Sequence, residues 1–91
     1  RKLNKSIKEE FEMAEVTVYS AVWCGFCHQL KAWLKDNKIE YKEIDVEEDI
    51  DSAKEVVKAT GQMGVPVTKV GDDYVVGFDR PKLAELLKIK L

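Results

Sequence analysis

Two cysteines stand with two residues between them in Trp23-Cys24-Gly25-Phe26-Cys27-His28, and the 91-residue chain has no others. Thiols at that spacing suit two chemistries: thiol–disulfide exchange, if one sulfur is held as a thiolate, and metal ligation, if further ligands converge. Their setting points to the first. The apolar, β-branched stretch from Val16 to Val22 runs directly into Cys24, and a helix-period pattern with Leu30, Trp33 and Leu34 runs away from Cys27. The spacing predicts a strand that becomes a helix, with the pair at the junction. A helix's first turn has backbone N–H groups without intrahelical partners and the positive end of the macrodipole, and both stabilise a thiolate. Cys24 is therefore the expected attacking sulfur. Cys27, one helical turn on, is within reach for a disulfide.

Other chemistries fit the same residues less well. Zinc takes about four ligands, and Cys24, Cys27 and His28 fall short unless two chains share the ion. A cluster-bridged dimer has the same shortage, and it stands as the rival reading, a binding module rather than an enzyme. Cys24 to His28 also matches the Cys-x-x-Cys-His pattern of covalent haem attachment, but the pair is embedded in a strand–helix unit with no export signal before it. No metal ligand set is expected. His28 reads as a solvent-facing helix residue.

Composition excludes several partner classes. Fifteen basic and 17 acidic residues give a net charge of -2 with the signs interleaved, so no basic stripe exists for a nucleic acid. No apolar run approaches the roughly 20 residues of a membrane span. Nothing N-terminal reads as a signal peptide, which leaves the reducing cytoplasm as the expected compartment. Residues 1–12, charged with Leu3, Ile7 and Phe11 scattered among them, read as an appendage, disordered or a short helix, ahead of one domain over 13–91.

The elements that must position the cysteines follow in order. Val16 to Val22 carries apolar or small groups on both faces, as a covered central strand does. The next helix runs from about Cys24 to Asp36 and ends near Asn37, which tolerates the left-handed cap conformation. Ile39-Glu40-Tyr41 and Ile44-Asp45-Val46 form a second strand with a phase slip, parallel to the first because a helix intervenes. Ser52-Ala53-Lys54-Glu55 has capping-box spacing and starts a helix that buries Ala53, Val56 and Val57 and stops at Gly61. The acids from Glu47 to Asp51 read as its solvated approach. Val67 to Val70 and Tyr74 to Val76 make a hairpin around Gly71-Asp72-Asp73, with Pro66 opening it and Val65–Pro66 a candidate cis bond. Asp79 caps a last helix that has Pro81 in its first turn and Leu83, Leu86 and Leu87 on its apolar face.

The order β-α-β-α-β-β-α, a Cys-x-x-Cys at the first strand–helix junction and a Val-Pro before the third strand resemble the α/β thioredoxin-like fold in its minimal glutaredoxin form, with a four-stranded mixed sheet, over about residues 15–88. Gly61 to Val67 and Val76-Gly77-Phe78-Asp79 are most similar to glutaredoxin-like redoxins of the YruB and NrdH type. The resemblance implies a dithiol oxidoreductase that donates electrons to protein disulfides, with Cys24 and Cys27 catalytic and no cofactor required. It also implies that Val65 and Pro66, in cis, lie against the disulfide and pair with an incoming peptide.

Departures from the glutathione-using glutaredoxins set the expected partners. Their cation three residues before the first cysteine is Ala21 here, and their Gly-Gly-acid motif is Gly77-Phe78-Asp79. Glutathione is therefore expected to be a weak partner, and a flavoprotein of the thioredoxin-reductase kind the electron donor. Trp23 and Gly25 resemble the Trp-Cys-Gly start of thioredoxin centres, which predicts an apolar surface of Trp23, Phe26, Val65 and Phe78. The expected substrate-binding set is Trp23, Gly25, Phe26, Val65, Pro66, Gly77, Phe78 and Asp79, on a monomer. Tyr19 and Ser20 could approach the centre or simply pack.

Overall fold

The computed structural model describes residues 15–62 and 64–89, so the expectation for residues 1–12 lies outside the described residues. Strand β1 (Val16–Ser20) is buried along its whole length and lies in the middle of the sheet. It pairs in parallel with β2 (Lys42–Asp45) and antiparallel with β3 (Val67–Val70), which pairs antiparallel with β4 (Asp73–Val76), giving the order β2-β1-β3-β4. Side chains alternate across this sheet, so each face has its own apolar layer. Val18 packs with Leu30 and Leu34 of helix α1 (Gly25–Asp36), Val75 of β4 and Leu83 of helix α3 (Arg80–Leu87). On the other face Tyr19 and Val67 pack against Val56 of helix α2 (Ile50–Thr60).

Element boundaries differ from the sequence expectation at four places, each with a local cause. Helix α1 ends at Asn37, but the left-handed residue is Lys38, with φ 60°, while Asn37 stays at φ -94° and donates its side-chain amide to the Trp33 carbonyl at 2.9 Å. The Ile39 N–H closes the helix on the Leu34 carbonyl at 2.9 Å, and Ile39 and Tyr41 pack against the α1 layer, so β2 keeps only four residues. Helix α2 starts before Ser52 because Asp49 is the cap, its carboxylate accepting the Ser52 N–H at 3.1 Å. Ser52 itself is buried in the first turn. The hairpin turn is shorter than expected, since Asp73 already pairs with Val70.

Polar tethers hold the layers in register. A single carboxylate oxygen of Glu55, on α2, accepts the Tyr74 hydroxyl at 2.9 Å and, at a longer 3.3 Å, the Tyr19 hydroxyl, with the Lys69 ammonium 3.6 Å away. The Tyr74 bond is the main cause that lowers the Glu55 pKa, whereas burial, helped by the Glu55 charge, pushes Tyr19 up to about 12. On the opposite face Glu43 of β2 accepts from Lys31 at 2.7 Å and from the buried Ser20 hydroxyl at 2.8 Å. Those two bonds, Lys31 first, lower its pKa.

Candidate active site

Strand β1 stops at Ser20, and the chain turns through Val22 and Trp23 before α1 begins. The turn is closed by the Cys24 N–H on the Ala21 carbonyl at 3.1 Å. Cys24 then takes the place a serine or aspartate usually fills at a helix start: its backbone is extended, and its sulfur accepts the Cys27 N–H at 3.1 Å. No acidic side chain sits in that first turn, so no carboxylate offsets the positive end of the helix. Cys24 and Cys27 are joined as a disulfide, their Cα atoms 5.2 Å apart. The pair is asymmetric in access, with Cys24 5% exposed and Cys27 0%. Cys24 is thus the less enclosed of the two.

The disulfide packs on Ala21 and on half-buried Val65. The Val65–Pro66 peptide is cis, and the buried Pro66 presents its carbonyl to the Gly77 N–H at 2.8 Å. Gly77 makes that bond at φ 80°, a conformation that favours glycine. Gly25 and Gly64 face open space, with nothing within 4 Å of where a Cβ would stand. Trp23 and Phe26, on either side of Cys24 and Gly25 in the chain, are 68% and 63% exposed. Of the expected set, Trp23, Gly25 and Phe26 thus adjoin the cysteines in the chain, Val65 touches the disulfide, and Pro66 and Gly77 follow from it through the cis peptide and its hydrogen bond.

Two residues of the expected set face elsewhere. Phe78 is half-buried and meets Trp33 edge to face at 6.0 Å, within the layer between α1 and α3, because an aromatic ring there buries more surface than one left beside the disulfide. Asp79 is committed as the cap of α3, accepting the Lys82 N–H at 3.2 Å. Tyr19 turns away to Glu55, and Ser20 is tied to Glu43. Ala21 is 3% exposed, so a lysine in its place would have to displace the packing at the disulfide.

Other neighbours carried no signal in the spacing. The Trp23 indole N–H donates to Glu47 at 2.9 Å, a contact spanning 24 residues between the cysteine turn and the loop after β2. Together with Ile50, Ala53, Val57 and Val65 they line a cleft of about 270 Å3 beside the disulfide. In sequence Glu47 is one acid of a run, and nothing local marks it apart from its neighbours. His28, exposed, has Nε2 3.0 Å from the Val22 carbonyl, so that nitrogen carries the proton and braces the turn holding Trp23. Among the described residues no three His, Cys, Asp or Glu side chains converge as a metal site would require.

Comparison with known proteins agrees with this geometry. The family model for glutaredoxin matches residues 16–75. The glutaredoxin-like protein NrdH of Lactococcus lactis is 34% identical over 71 residues, covering 78% of this chain and 97% of its own. Among solved structures, the glutaredoxin of Archaeoglobus fulgidus superposes with a TM-score of 0.72 at 29% identity, over 89% of this chain and 97% of that one. The NrdH-redoxin of Escherichia coli, a glutaredoxin-like protein described by its thioredoxin-like activity profile, superposes at 0.68 with 27% identity, over 80% and 93%.

Proposed function

The chain belongs to the glutaredoxin family and is a thiol–disulfide oxidoreductase, and from that premise we propose that it reduces protein disulfides and is recharged by a flavoprotein reductase rather than by glutathione. One observation carries the division of labour: Cys24 caps α1 at its open end while Cys27 is sealed beneath it. In the reduced protein the Cys24 thiolate attacks one sulfur of the substrate disulfide, forming a mixed disulfide and releasing the other sulfur as a thiolate that takes up a proton. Cys27 then loses its proton and attacks the Cys24 sulfur. The second substrate thiolate departs and is protonated, so two electrons and two protons have moved to the substrate and the Cys24–Cys27 bond remains. The reductase returns the electron pair.

The choice of donor rests on what surrounds the sulfurs. Glutathione is held in its better-known hosts by a cation and by backbone N–H groups of a second glycine. Here Ala21 is buried against the disulfide, and Phe78, its ring packed on Trp33, stands where the second glycine would be. Losing a charge-assisted hydrogen bond costs about 1.5 to 3 kcal/mol, so two missing anchors weaken productive glutathione binding by two decades or more. The exposed Trp23 and Phe26 offer a protein surface instead. The thioredoxin-like activity profile of the Escherichia coli NrdH-redoxin supports the same direction. In a coupled assay of the oxidised protein, NADPH with a thioredoxin reductase should sustain turnover, and millimolar glutathione with glutathione reductase should run slowly. Fast glutathione-driven turnover would overturn the choice of donor. The same reading takes the protein as a monomer of the reducing cytoplasm, which gel filtration and fractionation check.

A further inference from the structure

We propose that Glu47 makes this redoxin selective for disulfides on cationic segments: an apolar side chain of the incoming polypeptide fills the cleft between Trp23 and α2, and a lysine or arginine beside it pairs with Glu47. The inference rests on protein disulfides being the substrate and adds which ones. The cleft is smaller than the roughly 300 Å3 at which small-molecule sites begin, and its about 270 Å3 suits a side chain or two. Trp23 and Ile50 stand 68% and 59% exposed along it, apolar surface that a partner would cover.

Among the described lining residues Glu47 alone is ionisable. One of its oxygens is taken by the Trp23 indole at 2.9 Å, which fixes the carboxylate at the edge of the apolar surface. No cation among the described residues pairs with it. A cation arriving there meets a charge whose position is already set, beside surface that the apolar anchor has dried, where an ion pair gains more than in open water. Glu48, Asp49 and Asp51 add negative potential at the same end of α2, while Lys54 and Lys58 lie a turn or more further along it. Glutathione, a net anion without an apolar side chain, satisfies neither half of the cleft.

The test uses synthetic peptide disulfides that share a leucine beside the cysteine and differ only in flanking lysine, neutral or glutamate residues. Each kcat/KM is divided by that of the neutral peptide on the same protein. The parent should prefer lysine over glutamate by about tenfold at low salt, and the preference should shrink as salt rises. In Glu47→Gln, whose amide oxygen still accepts the Trp23 bond, the ratio should fall towards unity; the salt series on the parent needs no variant. A parent ratio near unity, or a preference that survives in folded Glu47→Gln, overturns the proposal. Failure to reduce even the neutral peptide would instead overturn the reading that protein disulfides are the substrate.

Discussion

Cys24 and Cys27 are the same side chain in two environments, and in the proposed mechanism position alone divides their work. With Cys24 at the helix mouth and Cys27 fully buried, alkylation of the reduced protein at neutral pH should modify Cys24 first, by at least tenfold in rate, as peptide mapping after brief iodoacetamide treatment would show. Equal labelling would remove the asymmetry on which the mechanism depends. Tyr19 gives a second residue-scale prediction. Its pKa rises from 10.0 to about 12, so the fold favours the neutral phenol. That contribution is fully present below pH 10 and is lost as pH climbs through about 12. Tyr19→Phe should therefore flatten the alkaline limb of a stability–pH curve measured by denaturant unfolding and leave the neutral region's slope unchanged.

Elements were legible in the sequence where one local rule acted alone. Gly61 ends α2 in the left-handed conformation, φ 79°, as its place after the apolar pattern suggested, and β1 is the buried central strand its two-faced apolarity implied. Where two rules competed, the tertiary one prevailed. Ser52-x-x-Glu55 has capping-box spacing, yet Ser52 faces inward and Glu55 bridges to two tyrosines on the sheet, so the cap falls to Asp49. Asp49→Ala should thus destabilise by about 1 kcal/mol, whereas Ser52→Ala, which removes no cap, should change stability by less than about half of that. Thermal melts of the two variants decide between the caps. Contacts across the fold were beyond reach, because Trp23 and Glu47 are brought together by the β1–β2 pairing and not by anything in either local stretch. Phe78 misled for a related reason: its neighbour Gly77 bonds to Pro66 beside Val65, but its own ring finds Trp33.

At the scale of the whole molecule the reduction potential measures how much the oxidised and reduced folds differ in stability, with about 30 mV equal to 1.4 kcal/mol for this two-electron couple. The helix end favours the Cys24 thiolate, but the surrounding Trp23, Phe26 and Val65 add no charge to it. A potential of roughly -200 to -280 mV, the range of glutaredoxins and thioredoxins, is expected, and equilibration in a glutathione redox buffer would give it. A value above about -150 mV would make the protein an oxidant. The most direct test of the central claim, that Cys24 attacks and Cys27 resolves, is mass spectrometry of single-cysteine variants incubated with a protein disulfide such as insulin. Cys27→Ser should accumulate a mixed disulfide mapped to Cys24, and Cys24→Ser should be inert; an adduct on Cys27, or insulin reduction by Cys24→Ser at the parent rate, would contradict the account.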